Sequence, residues 1–133
     1  MAILFNEKAA TLTLHTDHTT YQMKIGTHNI LLHTYYGPRA EGDMSYAIQC
    51  YDRGFSGVPY DARDGRVYSC DALPQEYPCE GSGDFRRTAF GVRDAQGVSG
   101  ADLRYVSHRI VNGKYSLPAM PAVYCAETEA QTL

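Results

Sequence analysis

Hydrophobic and polar residues alternate in two neighbouring runs near the start of the chain. Thr11–His15 reads Thr-Leu-Thr-Leu-His, and Thr20–Ile25 follows it closely. In the second run, alternate positions place apolar or aromatic side chains on one face: Tyr21, Met23 and Ile25. A period of two is typical of a strand with one buried face. Because only a short polar segment separates the runs, the pattern predicts an antiparallel hairpin.

Three further runs predict strands. Asn29–Tyr36 follows a turn at residues 26–28, and Arg86–Arg93 and Ala101–Val111 both alternate, with a turn expected at Asp94–Gly97. In the last run both faces carry apolar side chains, which favours a sheet packed on another layer. No helical period persists over three turns. We therefore expect little or no helix and an all-β fold, an antiparallel β-sandwich, in one domain spanning residues 1–133.

Residues 38–84 interrupt this regular pattern. The segment holds four of the six prolines and five of the eleven tyrosines. A connection of this length without regular structure is uncommon in a compact domain and is usually functional. Since a disordered linker would carry fewer aromatic residues, the composition predicts an ordered loop excursion that packs against something.

Charge and hydropathy exclude several partners. The net charge is −3 and both signs are interspersed, so no basic surface for nucleic acid is predicted. The apolar runs are too short for a membrane span, and the first residues do not resemble a signal peptide. We expect a cytoplasmic protein whose four cysteines are reduced thiols.

The sequence offers few signals for catalysis or metal binding. The five histidines have no ligand spacing, and Asp61, Asp64 and Asp71 do not match a calcium loop. Signatures of a serine nucleophile or a phosphate-binding loop are missing. The sequence therefore predicts no metal site and no cofactor.

Three stretches of the excursion mix charged or amide groups with aromatic rings: Tyr51–Tyr60, Asp71–Pro78 and Gly81–Arg86. Planar hydrogen-bonding groups beside apolar faces suit a sugar, with its hydroxyls and its C–H patches. The same composition allows a structural interpretation, in which Asp52 pairs with Arg53, or Asp84 with Arg86, to brace the loop. The residues alone leave both open.

Five motifs together carry a family resemblance: Tyr-x-Arg-x-Phe-x-x-x-Pro-Tyr from Tyr51, Tyr-Ser-x-Asp-x-Leu-Pro-Gln-Glu-Tyr from Tyr68, Gly-x-Gly-Asp-Phe-Arg from Gly81, Leu-Arg-Tyr-x-Ser-His-x-Ile-x-x-Gly-Lys from Leu103, and Leu-Pro-Ala-Met-Pro-Ala from Leu117. In this order they resemble the N-terminal domain of glycoside hydrolase family 36 α-galactosidases. The resemblance implies a supersandwich fold like that of galactose mutarotase. It also implies a longer enzyme, of which this chain is an N-terminal fragment truncated at its C-terminus.

The resemblance implies an activity that resides outside this chain. Family members hydrolyse terminal α-linked galactose from melibiose, raffinose and related oligosaccharides with retention, using two aspartates on a (β/α)₈ barrel. The N-terminal domain packs on that barrel. In tetrameric members it also borders the active-site mouth of a neighbouring subunit. We therefore expect no catalytic residue here, and as partners the barrel domain, further copies in a homo-oligomer and the oligosaccharide substrate.

The resemblance also assigns roles to individual residues. By position, the substrate-rim contacts are Asp52, Arg53 and Arg66. The residues expected at an interface or bracing the loop are Tyr60, Gln75, Glu76, Tyr77, Asp84, Phe85 and Arg86. Two alternatives remain. One is a free-standing carbohydrate-binding module with a platform of Tyr51, Tyr60 and Tyr77, and the other is a small enzyme that pairs Asp71 with Glu76.

Overall fold

A computed structural model describes residues 1–54, 57–59, 67–122, 124–125 and 129–133. The strands are β1 (Ala2–Asn6), β2 (Thr11–His15), β3 (Thr19–Ile25), β4 (Leu31–Pro38), β5 (Val111–Asn112) and β6 (Gln131–Thr132), with 3₁₀ turns at Thr27–Asn29 and Ser45–Ala47. Strands β1 to β4 form one antiparallel sheet in chain order, and β5 pairs with β6 in a second antiparallel sheet. The expected fold class, all-β and antiparallel, is confirmed.

The predicted hairpin is confirmed and forms the centre of the larger sheet. Leu12 pairs with Met23, and Leu14 pairs with Tyr21. The third strand is also confirmed, but β4 begins at Leu31 rather than Asn29. His28 and Asn29 have φ angles of 60° and 57°, outside the strand region, so the turn extends further than its sequence indicated. The short β1 was not predicted, because its continuous apolar run shows no alternation.

The two faces of the larger sheet are covered differently. On one face Leu12 and Met23 are buried, and the C-terminal segment covers this side, where the Phe5 and His108 rings lie 4.4 Å apart. On the other face buried polar residues predominate: Thr11, His15, Thr20 and Gln22. The segment after β4 crosses that face and accepts hydrogen bonds from the Thr20 hydroxyl and the Gln22 amide. The sheet is thus packed on both sides.

Two strand predictions are wrong. Residues 86–93 contribute only isolated bridges, Phe90 to Cys79 and Arg93 to Ser99, and of the run 101–111 only Val111 lies in a strand. Alternation indicates which side chains face inward, but a strand also needs a neighbouring backbone to pair with its N–H and C=O groups. The turn predicted at Asp94–Gly97 is confirmed, since the Gly97 N–H donates to the Asp94 carbonyl at 3.0 Å.

The far end of the excursion returns to the sheet. The His33 N–H donates to the Pro74 carbonyl at 2.7 Å, and the Glu76 N–H donates to the Leu31 carbonyl at 3.0 Å. Residues 74–76 therefore cover the edge of β4, which would otherwise expose unpaired backbone groups. One buried apolar cluster joins this segment to the sheet: Ile30, Leu32, Tyr68 and Leu73.

Candidate functional site

Asp52 and Arg53 lie on an exposed turn of the excursion. The Asp52 Oδ1 atom accepts a hydrogen bond from the Gly54 N–H at 2.6 Å, and Gly54 has a φ of +80°, a conformation that favours glycine. The Arg53 side chain is 51% exposed. The turn therefore presents a carboxylate and a guanidinium to solvent on neighbouring residues.

A second segment, residues 69–71, packs against this turn and contacts Arg53. The Ser69 hydroxyl accepts a hydrogen bond from the Arg53 N–H at 3.0 Å, and the Asp71 Oδ2 atom lies 3.6 Å from Arg53 Nη1. The Cys70 N–H donates to the Gly57 carbonyl at 3.0 Å. Three consecutive residues thus hold both ends of the stretch from Arg53 to Gly57.

An ion pair between the buried Asp84 and the partly exposed Arg86 holds the supporting segment in place. Asp84, whose side chain is fully buried, accepts hydrogen bonds from Arg86 Nε at 2.9 Å, from Arg86 Nη2 at 2.6 Å and from Gln75 Nε2 at 3.0 Å. Burial acts to raise the pKa of the Asp84 carboxyl, but the hydrogen bonds and charge of Arg86 outweigh it and hold the pKa below its ordinary value. Gln75 and Arg86 both also donate to the Cys70 carbonyl.

Glu76 lies in a separate cluster at the edge of β4. Its Oε2 atom accepts a hydrogen bond from the Tyr21 hydroxyl at 2.5 Å, and its Oε1 atom lies 3.1 Å from His33 Nδ1. Burial, together with the hydrogen bond and the negative charge of Glu76, raises the pKa of the Tyr21 hydroxyl well above its ordinary value. This cluster fixes the returning segment to the sheet.

The structure distributes the predicted site residues over three settings. Asp52 and Arg53 are adjacent and exposed. A second setting is the hydrogen-bond network of Gln75, Asp84 and Arg86. The third is the cluster at the edge of β4, to which Glu76 belongs. Tyr77 and Phe85 are 57% and 78% exposed. Two predicted residues lie outside the described part of the chain: Tyr60 and Arg66.

Sequence reasoning missed the supporting roles of Ser69 and Asp71. Both stand in the Tyr-Ser-x-Asp motif, which is the signal that could have identified them. Their contacts with Arg53 span 16 and 18 positions, and such contacts follow from the path of the loop rather than from local spacing.

Asp71 and Glu76 lie in different settings and have different partners. Asp71 lies against Arg53, whereas Glu76 is bound by Tyr21 and His33. A cleft of about 400 Å³ lies beside Val58 and Pro59, but Asp102, the carboxylate among its described lining residues, is paired with Arg104. Within the described ranges, no three His, Cys, Asp or Glu side chains gather to hold a metal ion.

Comparison with known proteins defines the class of this domain. Residues 29–133 match the glycosyl hydrolase family 36 N-terminal domain. The chain therefore belongs to this family, as its motifs predicted.

Individual relatives agree with this assignment. The bifunctional α-galactosidase/sucrose kinase AgaSK of Mediterraneibacter gnavus is 51% identical over 133 residues, which is all of this chain and 14% of that protein. The α-galactosidase AgaA of Geobacillus stearothermophilus is 38% identical over 136 residues, 18% of its length. The solved galactosidase domain of AgaSK superposes with a TM-score of 0.90 and 50% identity, covering 98% of this chain and 18% of that one. This chain thus spans less than a fifth of the relatives that it matches.

No helix in the described residues is long and apolar enough to cross a membrane.

Proposed function

We propose that this chain is the non-catalytic N-terminal domain of an α-galactosidase that removes terminal α-galactose from oligosaccharides of the melibiose and raffinose type, with retention. In the complete protein it packs on a (β/α)₈ barrel that carries the catalytic carboxylates. The complete protein is a cytoplasmic homo-oligomer, in which the turn at Asp52 and Arg53 borders the substrate entrance of a neighbouring subunit. By itself the chain is inactive.

The observation that carries this proposal is the match to α-galactosidases over the full chain, combined with the small share of their length that it covers. One such relative, AgaA carrying the substitutions A355E and D548N, was crystallised with raffinose, and 87% of this chain superposes on it with a TM-score of 0.76. Retention requires two carboxyl groups about 5 to 5.5 Å apart. The described acidic side chains of the excursion are instead held by arginine, tyrosine or backbone partners.

The rim role of Asp52 and Arg53 is supported by their exposure and by their fixed backbone. A guanidinium offers several N–H donors in one plane, and a carboxylate accepts hydrogen bonds from hydroxyls. Because the Asp52 carboxylate and Ser69 already hold the backbone of the turn, little conformational freedom is lost when a sugar binds.

Kinetics of the complete protein test the proposal. Arg53→Ala should raise the KM for raffinose about tenfold, since a hydrogen bond to a charged group is worth roughly 1.5–3 kcal/mol. Its KM for 4-nitrophenyl α-galactoside, which has no second sugar, should hardly change. Equal effects on both substrates, or no effect on either, would remove Arg53 from the rim.

The isolated chain provides a second test. It should release no 4-nitrophenol from the aryl galactoside and should show no saturable binding of raffinose. Millimolar or tighter binding by the chain alone would instead support a carbohydrate-binding module.

A further inference from the structure

The guanidinium of Arg53 is half exposed and sits on a long, flexible side chain. Such a group recognises sugar hydroxyls well only if something fixes its direction, because ordering a free arginine side chain opposes binding. In the described part of the chain, Ser69 and Asp71 contact Arg53 and can fix its direction.

We propose that Asp71, together with Ser69, is the positioning residue that directs Arg53 toward the sugar unit beyond the terminal galactose. This inference rests on the rim role proposed for Arg53. Ser69 holds the backbone of Arg53 through the hydrogen bond of 3.0 Å to its N–H, and Asp71 holds the side chain through the ion pair at 3.6 Å. Backbone and side chain are therefore anchored by two neighbouring positions of one segment.

Arg53 and Asp71 differ in how far their side chains are exposed to solvent. The Asp71 side chain is 13% exposed, against 51% for Arg53. Asp71 is therefore largely shielded from a substrate at the surface, whereas Arg53 is open to one. At 3.6 Å the ion pair is longer than a direct hydrogen bond, so it orients the guanidinium while leaving its N–H donors available for sugar hydroxyls.

The anchor itself is rigid. The Ala72 N–H donates to the Ser69 carbonyl at 3.1 Å, closing a turn around Asp71. The intervening Cys70 carbonyl accepts hydrogen bonds from Gln75 at 2.9 Å and from Arg86 at 3.3 Å. Arg86 is in turn fixed by the buried Asp84. A continuous set of hydrogen bonds thus connects the turn at Arg53 with the interior of the domain.

The two oxygens of the Asp71 carboxylate differ in their surroundings. Its Oδ1 atom is buried and has no hydrogen-bond partner in the part of the chain that the structure describes. The described contact of the Asp71 carboxylate is therefore the one that its Oδ2 atom makes with Arg53.

The test uses the complete protein and four variants: Asp71→Asn, Ser69→Ala, Arg53→Ala and the double variant Asp71→Asn with Arg53→Ala. Asp71→Asn should raise the KM for raffinose about fivefold and leave kcat within about twofold, because it disturbs binding and not the chemical step. Its KM for 4-nitrophenyl α-galactoside should stay unchanged. Glu41→Gln, which removes the same charge from the exposed pair with Arg39, is the matched control and should change neither KM.

The double variant distinguishes positioning from a general effect on the fold. If Asp71 acts through Arg53, the double variant should have the same KM for raffinose as Arg53→Ala alone. If the two residues act independently, the increases in KM of the two single variants should multiply. Multiplied effects, or an unchanged KM in Asp71→Asn, would overturn the inference while leaving the rim role of Arg53 intact. An unchanged KM in Arg53→Ala would remove both. Should Asp71→Asn fail to fold, Ser69→Ala applies the same test, and an unaltered KM for raffinose in that variant contradicts the inference.

Discussion

Gly57 and Gly83 lie with their backbones in direct contact. A Cβ atom built on Gly57 would stand 2.9 Å from the Gly83 Cα, and one built on Gly83 would stand 2.7 Å from the Gly57 Cα. The contact joins the loop that follows Arg53 to the turn that carries Asp84. Glycine at both positions is what allows the two backbones to approach this closely.

Replacing Gly83 by alanine should therefore destabilise the domain by about 3 kcal/mol. Its φ of +85° is unfavourable for a residue with a side chain, and the new methyl group would press on the Gly57 backbone. Urea unfolding of the chain, followed by circular dichroism, measures the loss. Gly97→Ala is the control, since Gly97 has a φ of +81° but no described atom within 4 Å of the place that an alanine methyl group would occupy. It should cost about 1 kcal/mol, and equal losses in both variants would show that the contact contributes nothing.

Gln22→Leu should destabilise the domain by about 2–4 kcal/mol, although the apolar side chain is similar in size. The buried Gln22 amide donates to the Thr13 hydroxyl at 2.9 Å and to the Gly42 carbonyl at 2.8 Å, and its oxygen accepts from the Met44 N–H at 2.8 Å. Leucine would remove all three hydrogen bonds and leave these part-buried groups without the amide as a partner. The shift of the urea midpoint measures the effect, and Gln96→Leu in an exposed turn should leave the midpoint nearly unchanged.

Asp84→Asn should remove a pH-dependent part of the stability. The pKa of Asp84 is lower in the folded protein than its ordinary value, so its contribution is present above about pH 4 and is lost as the pH falls through the folded pKa. The variant should be about 2–4 kcal/mol less stable at pH 7, because an amide turns one acceptor into a donor facing Arg86 and Gln75. Unfolding curves at pH 7 and at successively lower pH should show that the difference in free energy of unfolding between the wild type and the variant becomes smaller. A difference in free energy of unfolding that does not change with pH would contradict a contribution from the ion pair. Asp17→Asn, at an exposed turn, is the control and should be as stable as the wild type.

Tyr21→Phe should cost about 1–2 kcal/mol near neutral pH, because it deprives the Glu76 carboxylate of the hydroxyl donor. Because the pKa of Tyr21 is raised in the folded protein, the stability also depends on pH in the alkaline range. Stability falls as the pH rises above about 10 toward the folded pKa, and phenylalanine should remove this part of the fall. Tyr36→Phe is the control, since its ring lies 5.9 Å from that of Tyr21 but is 69% exposed. Equal losses in the two variants by thermal unfolding would contradict a specific role for the hydroxyl.

The part of the fold that sequence could predict is the part with local signals. The pattern from Thr11 to Ile25 determines both strands and the turn, because neighbouring strands pair across a few residues. The runs at 86–93 and 101–111 alternate equally well, yet in the described ranges they pair with other segments only through isolated bridges and single hydrogen bonds, apart from Val111 in β5. Whether a partner strand is available depends on the folded path of the chain, which alternation does not encode.

The candidate site divides in the same way. Asp84 and Arg86 are two positions apart, so the sequence could predict that they pair to brace the loop, as an alternative to sugar binding. The contact of Arg53 with Asp71 crosses 18 positions, and that of Tyr21 with Glu76 crosses 55. Such contacts depend on how the excursion returns to the edge of β4.

The kcat of the complete protein for 4-nitrophenyl α-galactoside, measured for the wild type and for Asp71→Asn and Glu76→Gln singly, tests whether the catalytic carboxylates lie outside this domain. If this domain supports an α-galactosidase whose carboxylates lie on the barrel, the wild type releases 4-nitrophenol and both variants keep kcat within about threefold. A wild type that releases no 4-nitrophenol would rule out the α-galactosidase activity, and a loss of kcat of about a thousandfold in either variant would place a catalytic carboxylate in this domain.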